Sequence, residues 1–333
     1  MVRAEVFQWI PGCVTPLYRI FSWQRVNNKV KHCKRQITQL LIIHHNLFSM
    51  NKIGFNVLAW SAVISDELKP IVDRLKTIGY DGVEFLLGSP DKAAYKWLGD
   101  YTKDLGLEVT TVFVVGKDEN PISGEVAIRA KALDRIKWAI DRAHDLHAPL
   151  LCGPFHSAHS HFAGRAPEDG EYGFGAEVLH AAGEYAAQAN ITLALEALNR
   201  FECYLCNTME QLTRLIKAAD HPNVKAMFDT HHANIEEKNF SQAISTIAPL
   251  LAHVHISEND RGTPGDGQVH FDEAFSSLAK INYSGWLTIE AFSRNDPDFA
   301  NSIGVWREYS KPWDIAEKGL KFIRQMCNKH GLN

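Results

Sequence analysis

No run of about 20 predominantly apolar residues, the length a membrane-spanning helix requires, stands out in this chain. The most apolar short piece, Leu40-Leu41-Ile42-Ile43, is ended at once by His44 and His45, so a membrane is not an expected partner. Cysteine is sparse and irregular. Cys13, Cys33, Cys152, Cys203, Cys206 and Cys327 do not space as a disulfide framework, and a reduced, cytoplasmic setting is expected. Cys203 and Cys206 have C-x-x-C spacing, yet no second such pair follows, so two free thiols are expected rather than half a zinc site. Basic charge is short as well. Residues 1–49 hold seven of the 35 Lys/Arg and one of the 39 Asp/Glu, which leaves 28 against 38 and a body charge of about −10. Such a body is a poor partner for a phosphate polyanion, and nucleic acid is not expected. Finally, no G-x-G-x-x-G follows the first strand pattern, which removes the main support for a dinucleotide-binding open sheet.

What remains is the composition of an ordinary globular protein, 45% hydrophobic and 22% charged. Residues 1–49 show neither helical periodicity nor strand alternation, and Met50-Asn51-Lys52-Ile53-Gly54 looks like the natural start of a domain. Residues 1–49 are therefore expected to be a non-native or disordered extension outside the fold, a basic targeting arm being the competing reading. The domain is expected over 50–333. From residue 52 short apolar runs alternate with amphipathic stretches, the mark of parallel βαβ units. Strands are expected at 52–60, 82–87, 108–115, 149–155, 192–198, 223–229, 251–257 and 285–292. A helix is expected over 126–147, and Gly79, Gly106 and Asn190 sit where left-handed residues would stop helices. Eight such units in roughly 280 residues predict a closed (β/α)8 TIM barrel in the α/β class.

In that architecture the chemistry lies at the C-terminal ends of the strands. Glu196, Asp229, His255 and Glu290 close the last four. Side-chain alternation turns all four inward, since Leu193, Leu195, Leu287 and Ile289 take the helix-facing side. Three carboxylates and an imidazole in one closed space repel one another unless a cation neutralises them. An oxygen-rich set without thiolate suits Mn²⁺, with Mg²⁺ or Co²⁺ as alternatives.

These residues lie in Glu196-Ala-Leu-Asn199-Arg200-Phe201-Glu202, Asp229-Thr-His-His232-Ala-Asn234-Ile235-Glu236-Glu237, His253-Val-His255-Ile-Ser-Glu258-Asn-Asp-Arg261 with Pro264-Gly265, Ile289-Glu290-Ala-Phe292 and Val305-Trp306-Arg307. In that order the motifs resemble the ketose 3-epimerases of the xylose-isomerase-like barrels, over about residues 50–326. The resemblance implies that Glu196, Asp229, His255 and Glu290 bind the metal and that Glu202, His232 and Arg261 hold sugar oxygens. A metal chelating ketose O2 and O3 would acidify the C3 proton, and Glu196 and Glu290 would remove and return it on opposite faces through a cis-enediolate. Trp60 is expected as a stacking wall, with Phe292 and His156 also on the substrate. The resemblance further implies a homodimer or homotetramer.

Other residues allow more than one reading. Glu202 could instead pair with Arg200 or Arg261. The loop Gly153-Pro154-Phe155-His156-Ser157-Ala158-His159-Ser160-His161-Phe162 departs from the family pattern; its imidazoles either reach the far end of the sugar, or a phosphate, or are simply solvated. Asn56 stands where an aromatic is expected. Glu84, in the middle of the second strand, reads first as a buried structural carboxylate. An isomerase of the hydroxypyruvate or inosose type and a lyase on a keto sugar share the same carboxylates. A three-metal nuclease on this barrel would need histidines ending strands two and three, where Leu86-Leu87-Gly88 and Val114-Val115-Gly116 stand instead.

Overall fold

Eight apolar runs pair in parallel, in chain order, and close on themselves. The computed structural model describes residues 51–332; the expected extension at 1–49 lies outside the described residues. The strands are β1 (Lys52–Asn56), β2 (Gly82–Leu86), β3 (Glu108–Val112), β4 (Leu150–Gly153), β5 (Thr192–Leu195), β6 (Val224–Asp229), β7 (Leu251–Ile256) and β8 (Trp286–Ile289). The seam between β1 and β8 runs in register from Lys52↔Trp286 to Phe55↔Ile289. The helices between and after them are α1 (Lys69–Ile78), α2 (Lys92–Asp104), α3 (Val126–Asp145), α4 (Asp169–Gln188), α5 (Met209–Ala219), α6 (Thr230–Glu236), α7 (Phe240–Ile247), α8 (Phe271–Lys280), α9 (Pro297–Ser302) and α10 (Pro312–His330). This is the expected (β/α)8 barrel.

Period-two alternation sorts the core into two layers. Leu193, Leu195, Val254, Leu287 and Ile289 are buried outside the barrel with the helices, whereas Val112, Leu150, Cys152, Ala194 and Met227 form a separate cluster within it. At the bottom the Trp286 ring fills the barrel, and a Cβ at Gly82 would stand 2.5 Å from that ring. A glycine is therefore required there by close approach.

Helix ends follow local chemistry. Gly79, Gly106 and Asn190 have φ of 108°, 68° and 55°, the left-handed stops read from the sequence. Helix α5 starts with a capping box: the Thr208 hydroxyl accepts from Gln211 N, and the Gln211 side chain accepts from Thr208 N. Its apolar face, Leu212, Leu215, Ile216 and Ala219, is buried. Truncating Leu212 to Ala would cost about 2–5 kcal/mol through lost burial and a cavity.

The strands end earlier than the sequence suggests. Strand β1 stops at Asn56 rather than Trp60, because the Asn56 side chain accepts from Leu58 N and begins a 3-10 turn. Strands β5 and β8 stop one residue before Glu196 and Glu290. Those two glutamates therefore sit on the first loop residue, with Glu196 N still bonded to Gly153 O (3.1 Å) and Glu290 N to Ile256 O (3.3 Å).

Candidate active site

The inward residues of the last four strands converge. Glu196 Oε1, Asp229 Oδ2 and His255 Nδ1 are buried polar atoms without a hydrogen-bond partner. Together with a Glu290 oxygen they lie within 4.8 Å of one another. His255 Nδ1 stands 3.6 Å from Asp229 Oδ2 and 3.4 Å from Glu290 Oε1, too far for good hydrogen bonds and suited to ligands around a shared cation. Orphaned buried polar atoms are costly, so a cation answers what the protein itself leaves unsatisfied. The donor set, three carboxylates and one imidazole, fits a hard divalent ion.

Each side chain is held from behind. Asp229 caps α6, its Oδ1 accepting from His231 N (2.7 Å) and His232 N (3.0 Å), which leaves Oδ2 toward the centre. Arg261 Nη1 donates to Glu290 Oε2 (2.7 Å) and to Ser257 Oγ (3.1 Å). Burial, reinforced by Glu290 and Asp229, holds the Glu196 carboxyl well above the usual range. Burial also opposes charge on His255, yet Glu290 and Glu84 outweigh it and hold the imidazole well above its ordinary value. Asp229 is held low against its burial by His232, His255 and Arg261.

Above this centre lies a cavity of about 570 Å³. Glu196, Glu202, His232, Arg261, Glu290 and Phe292 line it, with Leu58, Leu86, Val112, Val114 and Val305 as an apolar wall. His232 Nδ1 accepts from Asn199 N (3.0 Å), which leaves its proton on Nε2. Arg261 Nη2 is 2.9 Å from that Nε2, so two donors face one another and neither is satisfied by the other. An oxygen on the cavity side, within reach of each nitrogen, would accept from both. Glu202 accepts from Asn199 Nδ2 (2.8 Å) and approaches His159 Nε2 (3.4 Å). Arg200 is instead paired with Glu236 (2.8 Å). The Glu202 carboxyl is held low despite burial, by His159 and by the positive charge around it.

Two expected substrate contacts are elsewhere. Trp60 is not a stacking wall: it is buried between Phe55 and Trp313, ring centroids 5.1 and 4.6 Å away, because the early end of β1 turns it into the core. Leu58 faces the cavity in its stead. His156 is fully buried behind the site, its Nε2 2.8 Å from Glu196 O and its Nδ1 3.0 Å from Ser157 Oγ. Burial lowers it to about 4, so it is a neutral brace for the Glu196 backbone. Of the histidine-rich loop's three histidines it is His159 that lines the cavity.

Sequence reasoning also passed over Asn199, which orients Glu202 and His232, and Glu258. The buried Glu258 carboxylate accepts the backbone N–H of Asn259, Gly265, Gln268 and Val269 at 2.9–3.1 Å. It thereby ties down the loop on which Arg261, at a left-handed φ of 62°, is presented. Their signal was membership of the same motifs as Glu196 and His255. Cys203 and Cys206 are free and buried.

Fold and site together are those of a (β/α)8 barrel with a group of four buried side chains at the strand ends that could hold a metal ion. The family model described as xylose isomerase-like TIM barrel matches residues 72–326. The chain is 30% identical over 270 residues to the D-psicose 3-epimerase of Agrobacterium fabrum, covering 80% of this chain and 93% of that one. It is 31% identical over 276 residues to the L-ribulose 3-epimerase of Methylomonas sp., covering 82% and 96%. The crystal structure of a Methylomonas sp. D-allulose 3-epimerase in complex with D-allulose superposes with a TM-score of 0.78 at 28% identity, covering 83% and 97%. The chain belongs to the xylose isomerase-like TIM barrel family, among its ketose 3-epimerases.

Proposed function

We propose that this protein epimerises a free ketose at C3, with Glu196 and Glu290 as the acid/base pair. The observation that carries the reading is the set of orphaned ligand atoms of Glu196, Asp229 and His255 facing the wall of Arg261 and His232 donors. A divalent cation held by Glu196, Asp229, His255 and Glu290, Mn²⁺ in first place and Mg²⁺ or Co²⁺ as alternatives, would supply Lewis acidity toward the ketose oxygens. Glu196 follows β5 and Glu290 follows β8, and their origin on two separate strands supports removal and return of a proton on two faces. Arg261 and His232 donate to the developing enediolate oxygen, a charge they are already aimed at. Glu202 accepts from a sugar hydroxyl and Phe292 packs beside the chain. The apolar wall of Leu58, Leu86 and Val114 supports a sugar without phosphate at its far end.

The test is incubation of the Mn²⁺-loaded protein with a panel of ketoses in D₂O, followed by NMR. Deuterium at C3 with an inverted product is expected. Label at C1 or C2 with an aldose product would make the protein a 1,2-isomerase, and loss of water or an aglycone would make it a lyase. We further propose a cytoplasmic enzyme that pairs into dimers or tetramers. Phe201 and Trp306, 72% and 73% exposed, support self-association, and sedimentation measures it. Among the described residues no helix is long and apolar enough to cross a membrane.

A further inference from the structure

Directly beneath the cation centre, Glu84 of β2 is fully buried in the barrel. A carboxylate there is costly unless donors surround it, and they do. Oε1 accepts from Asn56 Nδ2 (3.0 Å) and lies 2.8 Å from His255 Nε2. Oε2 accepts from Thr110 Oγ1 (2.8 Å) and Cys152 Sγ (3.4 Å), and His253 Nε2 approaches it to 2.9 Å. Asn56 has no freedom to turn, because its own Oδ1 accepts from Leu58 N (3.0 Å). Oε1 is therefore fixed as an acceptor, and the hydrogen on its His255 bond belongs to Nε2. The other ring nitrogen, Nδ1, is the buried atom left without a partner beside Asp229 and Glu290.

We infer that Glu84 is a positioning residue for the cation site: it keeps a proton of His255 on Nε2, locks the ring, and leaves Nδ1 as the nitrogen that ligates. A partner on the second nitrogen of a metal-ligating histidine fixes both tautomer and orientation, and its loss lowers metal affinity about 10–100-fold. The inference rests on the metal reading above. It also accounts for Asn56, which belongs to this clamp and not to a sugar-stacking position.

The test is titration calorimetry of the full chain with Mn²⁺. Glu84→Gln preserves shape but replaces the charge-assisted bond that holds the His255 Nε2 proton by a neutral one about half as strong, and is expected to weaken binding about tenfold or more. Thr110→Val, which touches Glu84 but not His255, is expected to change affinity less than twofold while lowering the melting temperature. Equal affinity of E84Q and the unsubstituted protein would overturn the inference, as would equal losses in the two variants. Because a variant could fail to fold, the imidazole ¹⁵N shifts of His255 in the Mg²⁺-loaded unsubstituted protein give a second reading. Protonated Nε2 is expected, and protonated Nδ1 refutes the clamp. Two ions per chain, one of them lost in Cys152→Ala, would show that Glu84, Cys152, His253 and His255 ring an ion of their own, and would also refute it. No Mn²⁺ binding by the unsubstituted protein would remove the metal reading itself, and this inference with it.

Discussion

Loading the cation should expel protons. Without it, Glu196 and His255 both hold protons above their ordinary range. To act as ligands, Glu196 must be ionised and the His255 Nδ1 must be bare. The difference is about two protons released per ion bound, the direction expected when ligands must be deprotonated. Mn²⁺ affinity should then rise with pH, by up to about a hundredfold per unit where both groups are protonated in the free protein. Stability follows the same sign. Both pKa values are raised in the fold, so the metal-free protein is favoured below the unfolded values and loses stability as pH rises through the folded ones. Excess Mn²⁺ should abolish that loss. At a hundredfold excess over Kd it should add about 2.7 kcal/mol, or roughly 4–5 °C in Tm for a domain of this size. Calorimetry in buffers of different ionisation enthalpy counts the protons, and scanning fluorimetry at pH 6 and 8 follows the Tm. No proton release, or a Tm rise of the same size in Asp229→Asn, would refute the reasoning.

Glu290→Gln should reduce epimerisation by about 10²–10⁴ while Glu196 still exchanges the C3 proton of one epimer with D₂O, as NMR would show; loss of exchange in both epimers would deny the two-sided arrangement. His156 titrates near 4 in the fold and near 6.5 unfolded, so the unfolded chain binds more protons between those values and stability falls as pH drops from 6.5 to 4. His156→Gln should flatten that fall by about 3 kcal/mol in urea unfolding. His159→Ala, which removes a partner of Glu202, should raise KM with a smaller effect on kcat. Trp60→Phe should leave KM unchanged and lower Tm by a few degrees, since Trp60 serves the core.

The barrel was legible because closed parallel sheets write a repeating signal, and Gly79, Gly106 and Asn190 punctuate it where a left-handed residue must stand. The four candidate ligands were legible because strand parity turns them inward, and at Glu196 and Glu290, one residue past the strand end, the backbone N–H still bonds to the neighbouring strand and carries the alternation on. Trp60 and His156 differ from the expectation for one reason: both lie three or more residues beyond a strand end, where alternation no longer reports direction. Whether Trp60 faces sugar or Trp313 depends on the Asn56 turn, and whether His156 or His159 faces the cavity depends on Gly153 and the loop after it. Gly153 has φ +121°, and a Cβ there would lie 2.4 Å from Phe113 O. Glu84 was ambiguous because its meaning comes from His255, 171 positions away.

Glu258 makes the Arg261 loop a fixed jaw rather than a closing flap. With four backbone N–H groups fastened to one carboxylate, the guanidinium reaches its station before any sugar arrives, and no ordering entropy is charged to the encounter. Recognition on that side is rigid, whereas the opposite wall of Leu58, Leu86 and Val114 offers only shape. Variants selected for a different ketose should therefore accumulate on the apolar wall and leave residues 258–269 untouched.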